Sequence, residues 1–191
     1  PDFANKENAP DPQIAQQRAK RLAKEEQVQA AKHTKAKNEA QQIWDSAQSC
    51  TSHSYMDVAG VKIAGEVRTL PFLKTLGGQT FKNPLIVPRL DAVTGDIINL
   101  EFITPEGTKR PLTGAKKQGT YFEIPGQNPA YFVEGYKTGC AVHNATGRRV
   151  ICAFDVGNLK EIWPILANPE SAIIADNDNK PRDDLFFVNT R

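Results

Sequence analysis

Three short apolar runs in the last third of the chain restrict its architecture more than any other feature. They are residues 130–133, 150–154 and 171–175. Between them lie two stretches of helical pattern, 136–146, closed near Gly147, and 158–166. A strand that is apolar without alternation is buried on both faces, and strands alternating with helices are how parallel sheets are wound. The expected class is therefore α/β, a parallel sheet flanked by helices.

Two of the three runs end in acid. The first ends in Glu134-Gly135, and the third runs into Asp176-Asn177-Asp178. In open parallel sheets, ligands sit beyond the carboxyl ends of the strands. If the two strands lie near each other, three carboxylates converge there, and like charges so placed call for a cation. Oxygen donors without Cys or His favour Mg2+ or Mn2+. A metal held by carboxylates is a standard arrangement for phosphoryl transfer. Gly135 leaves room for a tight turn and a close ligand.

The middle of the chain has another rhythm. Residues 85–87 lead through the Gly95 turn into 97–104, a hairpin pattern. A turn at Pro105-Glu106-Gly107 precedes 108–112, and 119–124 is a further strand. An antiparallel region over 84–124 is expected, closed by Pro125-Gly126 and Pro129.

The first part is different again. Residues 13–42 contain no Gly and no Pro and are nearly all Ala, Gln, Lys, Arg and Glu. Those are strong helix formers, and Asp11-Pro12 supplies a starting cap. One helix is expected from about Pro12 to Ala47. Its large apolar residues are few, with Ile43 and Trp44 as the expected anchor. The stretch 13–42 carries seven basic and three acidic side chains, whereas 43–191 is neutral. Two readings stand. One is a solvated helical extension. The other is a nucleic-acid arm that tracks phosphates through Arg18, Lys20, Arg21, Lys24, Lys32, Lys35 and Lys37.

Residues 130–178 resemble a Toprim domain, the metal-binding module shared by bacterial-type primases, type IA and II topoisomerases and some nucleases. Phe132-Val133-Glu134-Gly135-Tyr136 carries its first motif and Asp176-Asn177-Asp178 the second. The stretch from Glu134 through His143, Gly147, Val150 and Phe154 to Gly157-Asn158-Leu159 resembles that module in primases of phages, phage satellites and conjugative plasmids. His53-Ser54-Tyr55, Pro88-Arg89, residues 98–103 and Gly107-Thr108-Lys109-Arg110 are similar to the module that precedes it there. The resemblance implies Glu134 as metal ligand or general acid/base, and Asp176 and Asp178 as Mg2+ ligands. It implies nucleoside triphosphates and a single-stranded DNA template as substrates, with a replicative helicase in cis or in trans. Arg89, Lys109, Arg110, Lys116 and Lys117 are the candidates for holding nucleotide or template phosphates.

The implied organisation is a basic helical extension over 1–48, an α+β lead-in module over 49–125 and a Toprim domain over 126–191. The last is shorter than the module usually runs, with residues 185–188 as a candidate closing strand. The same acids also serve DNA cleavage in nucleases and topoisomerases, and a remnant that only binds nucleic acid or a partner is the third reading.

Composition excludes several classes. Three cysteines without a Cys-x-x-Cys pair form neither a disulfide scaffold nor a zinc ribbon, and are expected as buried small hydrophobes. No apolar run reaches the ~18 residues of a membrane span. A soluble protein of a reducing compartment, the cytoplasm of a bacterial host cell, is expected. No phosphate-binding Gly-Lys-Ser/Thr loop of a fused helicase is present in the sequence. Trp44 and Trp163 read as packing anchors, while Tyr136 is open between base stacking and core packing.

Overall fold

The computed structural model describes residues 12–175. Helix α1 spans Pro12–Ser46. The short strand β1, Gln48–Ser49, and the one-turn helix α2, Ser54–Asp57, follow. Then come β2, Arg68–Thr69, and a separate hairpin of β3, Phe72–Lys74, with β4, Thr80–Lys82. The antiparallel region consists of β5, Leu85–Asp91, β6, Ile97–Ile103, β7, Lys109–Pro111, and β8, Thr120–Ile124. The chain continues through β9, Gln127–Val133, α3, Tyr136–Thr146, β10, Arg148–Cys152, α4, Val156–Leu166, and β11, Ala172–Ile173.

The structure has the expected α/β class, with parallel strands between helices, antiparallel strands before them and a long N-terminal helix. The β9, β10 and β11 strands are mutually parallel neighbours, with Ile151 of β10 and Ile173 of β11 both beside Phe132. One feature was not foreseen. Strand β8 pairs antiparallel with β10 on one side and with β5 on the other, so both regions share a nine-stranded sheet. Since β5 and β10 both oppose β8, they run the same way. Thus β5, β9, β10 and β11 all end at one edge, called here the carboxyl edge.

Side-chain alternation divides the core between the two faces. Leu85 and Val87 of β5, Phe122 of β8 and Val133 of β9 meet Tyr136 and Cys140 of α3 on one face. On the other, Ile86, Leu100 and Phe102 pack under α1, and Phe132 and Ile151 pack under α4. The α3 helix lies close to the sheet because residue 139 is Gly. A Cβ there would come within 2.4 Å of Cys152 Sγ.

Helix α1 is two helices in physical terms. Ala36, Ala40, Ile43, Trp44 and Ala47 recur at helical spacing and are buried. Residues 13–32 are exposed throughout, so intrinsic propensity holds them helical. Arg68 secures the far end, donating to the Trp44 carbonyl at 2.7 Å with its guanidinium 4.3 Å from the indole centroid. Ile43 and Trp44 anchor the helix as expected.

The other packing expectations are also met. Cys50, Cys140 and Cys152 are free and buried, and burial pushes all three thiols up. Trp163 packs on Phe132 at 4.8 Å between centroids. Tyr136 resolves to core packing: its hydroxyl donates to the Ala64 carbonyl at 3.1 Å and its ring meets Phe122 edge-on. His53 caps α2, accepting the Tyr55 N–H and donating to the Asn83 carbonyl. Among the described residues, no helix is long and apolar enough to cross a membrane.

Candidate functional site at the carboxyl edge

Glu134 stands at the carboxyl edge because β9 ends one residue earlier, at Val133. Gly135 is the N-cap of α3 and supplies no side-chain cap, so the backbone turns from strand to helix within two residues. The neighbouring β10 is tied to this turn. Ala153 N–H donates to the Val133 carbonyl and Phe154 N–H to the Glu134 carbonyl, at 2.9 and 2.7 Å. On the far side, Ile174 N–H donates to the Phe132 carbonyl at 2.8 Å, so the chain leaving β11 departs beside Glu134. Asp176 and Asp178 follow directly in sequence and lie outside the described residues. So do Asp11 and the candidate strand 185–188.

A further acid stands at this edge. Asp155 follows the second apolar run and caps α4, accepting the Asn158 N–H at Oδ1, 2.7 Å. Phe154 before it is left-handed, with φ 70°. That geometry costs a non-glycine residue about 1 kcal/mol. Its ring lies beneath the Arg89 guanidinium, 4.2 Å from the centroid. Asn158 locks the same corner. Its side chain accepts from Gly119 N–H at 2.7 Å and donates to the Ala153 carbonyl at 2.6 Å, tying the loop before β8 to the turn after β10.

The expected phosphate-binding cations separate into three groups. Arg89 is 2% exposed. Its three donor groups go to Thr120 Oγ1 at 3.0 Å, Glu101 Oε2 at 3.1 Å and the Lys117 carbonyl at 3.1 Å. Burial pushes Glu101 up against the pull of Arg89, Lys109 and Lys117, and the same burial lowers Arg89. Arg89 therefore braces the edge from within. Lys116 pairs with Asp91 at 3.1 Å.

Lys109 and Arg110 part company. On β7, Lys109 stands opposite Ile103 and Arg110 opposite Phe102. Opposed residues share a face, so Lys109 lies on the α3 side and Arg110 on the α1 side. Lys109 Nζ comes within 3.6 Å of the point a Gly135 Cβ would occupy. Lys109 is thus the cation brought to the Glu134 turn, and Lys117 adds its charge over Glu101.

The basic helix is likewise divided. Arg18, Lys20, Arg21, Lys24, Lys32 and Lys35 are exposed, whereas Lys37 is paired with Asp96 at 2.8 Å. His143 lies at the opposite end of α3 from Glu134, donating to the Arg148 carbonyl.

Among the described residues, no three His, Cys, Asp or Glu side chains group as a metal site. Of the expected ligand set only Glu134 is described; Asp176 and Asp178 lie outside the described residues. The sequence reading passed over Asp155 and Glu101. The first had the same signal as Glu134, an acid directly after an apolar strand. The second had none, because it is an acid inside a strand whose partner lies across the hairpin.

Over 112 residues, 54% of its length, the chain is 32% identical to a protein of Escherichia coli named DNA primase TraC. Over 101 residues, 49% of its length, it is 30% identical to a second Escherichia coli protein of that name. The chain spans 7% and 9% of the lengths of these two relatives. No protein-family model matches the chain. No solved structure matches it. About half of this chain is therefore related to a short stretch of those primases.

Proposed function

We propose that the chain carries a primase-type nucleotidyltransferase centre, of the Toprim kind, at the carboxyl edge. The observation that carries this reading is the parallel pairing of β9 with β11. It starts Glu134 and the segment leading to Asp176 and Asp178 from adjacent strand ends. The relatedness to DNA primase TraC over half the chain supports the same reading.

Glu134, Asp176 and Asp178 would hold Mg2+ or Mn2+; the donors are all hard oxygens, as those ions prefer. Bound there, the ion would offset the charge on the phosphates being joined. Glu134 would take the proton from a primer 3′-hydroxyl as it attacks the α-phosphate of the incoming nucleotide. Lys109, beside Gly135, would bear on the triphosphate, with Lys117 further along the same face. Arg89 would act on neither substrate directly, since its donors are already engaged. The substrates on this reading are nucleoside triphosphates and a single-stranded DNA template, unwound by a replicative helicase acting in cis or in trans.

The test is direct. The purified chain, given single-stranded DNA, nucleoside triphosphates and Mg2+, is expected to make short oligonucleotides, and Glu134→Gln or Asp176→Asn to abolish them. Absence of product on several templates would overturn the proposal. Nicking of supercoiled DNA in Mg2+ without nucleotides would assign the edge to cleavage chemistry instead.

A further inference from the structure

Helix α1 crosses the sheet in a direction that gives its exposed part a position. Lys37 is bonded to Asp96, in the turn between β5 and β6 at the carboxyl edge. Seven residues later, the Trp44 carbonyl meets Arg68 of β2, which pairs with Ile86 near the start of β5. The packed part of α1 therefore runs from the carboxyl edge back toward the opposite one. Residues 13–32 precede it on the same continuous helix, so they project past the turn that carries Asp96, at the carboxyl end of β5. Twenty helical residues extend ~30 Å.

The projecting rod has a charged side. At ~100° per residue, Arg18, Lys20, Arg21, Lys24, Lys32 and Lys35 all fall within an arc of about 160°. The same arc takes in Glu25, which pairs with Arg21 at 3.5 Å, so it carries six cations against one acid. The opposite arc carries Ala15, Ala19, Ala23, Ala30, Gln16 and Gln27. Ile14, Leu22 and Val28 are exposed, at 61%, 49% and 49%. Their spacings of eight and six residues do not repeat as the three-and-four alternation of a coiled-coil seam, so a second apolar helix is poorly matched. A one-sided row of cations, carried on a stiff rod, complements a chain of phosphates.

We propose that residues 13–35 form an arm that holds the phosphodiester backbone of a nucleic-acid strand where it passes the carboxyl edge. The arm binds without reading bases, because its cations carry no pattern of donors and acceptors. Lys37 belongs to the anchor and not to the arm. The reading of the edge as a primase centre enters only in identifying that strand as template.

The experiment measures binding of the full chain to a labelled thirty-nucleotide oligothymidylate across a salt series. The test variant combines Arg18→Gln, Lys20→Gln, Arg21→Gln, Lys24→Gln and Lys32→Gln; Gln keeps helix propensity, and circular dichroism verifies it. At low salt the dissociation constant is expected to rise at least tenfold. The slope of log affinity against log salt should fall by about 2, from three or so lost contacts at ~0.7 each. A control with Lys62→Gln, Lys74→Gln and Lys82→Gln should bind as the wild type does. Unchanged binding in the arm variant, equal loss in the control, or no binding by the intact chain would each overturn the arm. Equal displacement by polyglutamate of matched charge would overturn it in favour of an acidic protein partner. Arm-dependent binding by a chain that makes no primer would leave the arm standing and sink the transferase.

Discussion

The two halves of the central sheet bring opposite charges around the Glu134 turn and treat them differently. The parallel half ends its strands in Glu134 and Asp155, each where the backbone turns from strand into helix. The antiparallel half brings the cations but commits most of them internally. Arg89 is spent on Glu101, Thr120 and a carbonyl, and Lys116 on Asp91. Among the expected phosphate-binding cations, Lys109 on the α3 face and Lys117 remain exposed. The difference teaches that a strand end facing a helix start displays its side chain, whereas a residue inside a strand must find a partner or a solvent face.

Four tests can break or sharpen this contrast. The largest effect is expected at the displayed acid. Glu134→Gln should lower primer synthesis by a factor of about 10²–10⁴, the usual worth of a general acid or base, with the urea midpoint unchanged. A large fall in that midpoint would move Glu134 from chemistry to scaffold.

Next is the buried pair. Glu101→Ala leaves Arg89 charged and buried, and should cost about 3–5 kcal/mol in urea unfolding. The double variant Arg89→Met with Glu101→Leu should recover most of that loss, because two apolar groups leave no unpaired charge. Failure of the pair to recover would mean that the brace holds Phe154 through the guanidinium itself, 4.2 Å above the ring.

The adjacent cations on β7 come third. Lys109→Gln should raise the KM for nucleoside triphosphate about tenfold, ~1.4 kcal/mol, the worth of a charged hydrogen bond. Arg110→Gln, one residue on and on the other face, should change it less than about twofold. Equal effects would refute the division of the faces.

The smallest effect belongs to Asp91. Burial alone would raise its carboxyl, but Lys116 and the N–H groups of Val93 and Thr94 hold it below its ordinary value of 3.8. A depressed carboxyl stabilises the fold in its ionised form. The contribution is complete above the ordinary value and is lost as pH falls through the lower, folded value. Asp91→Asn should therefore cost about 1 kcal/mol at pH 7, with the deficit shrinking below pH 3.8. A deficit of constant size down to acid pH would show that the charge plays no part.

Much of the fold was legible because it is written in short-range patterns. The apolar runs 130–133 and 150–154, the Gly95 hairpin and the Gly- and Pro-free helix each declare themselves within a dozen residues. The Glu134 turn was legible for the same reason, an acid and a glycine directly after an apolar strand. Asp155 carried that signal too and was missed beside the stronger pair. The hairpin of β3 and β4 was missed because neither strand exceeds three residues. The union of the two regions was not legible, since the β8–β10 ladder joins segments 26 to 30 residues apart with no local mark of the pairing.

By itself, then, the sequence determined the long first helix and the main strands and helices from 85 to 173, where Glu134 stands among them, and that the positive excess lies on one helix. Those properties follow from side-chain period, propensity and charge, all carried by neighbouring residues. Only the tertiary structure decided that Arg89 is a brace, that Lys109 meets the Glu134 turn while Arg110 does not, and that residues 13–32 of α1 project past the turn carrying Asp96. Each depends on strand direction and on the face a residue takes, which are set by how distant segments bury their apolar sides together.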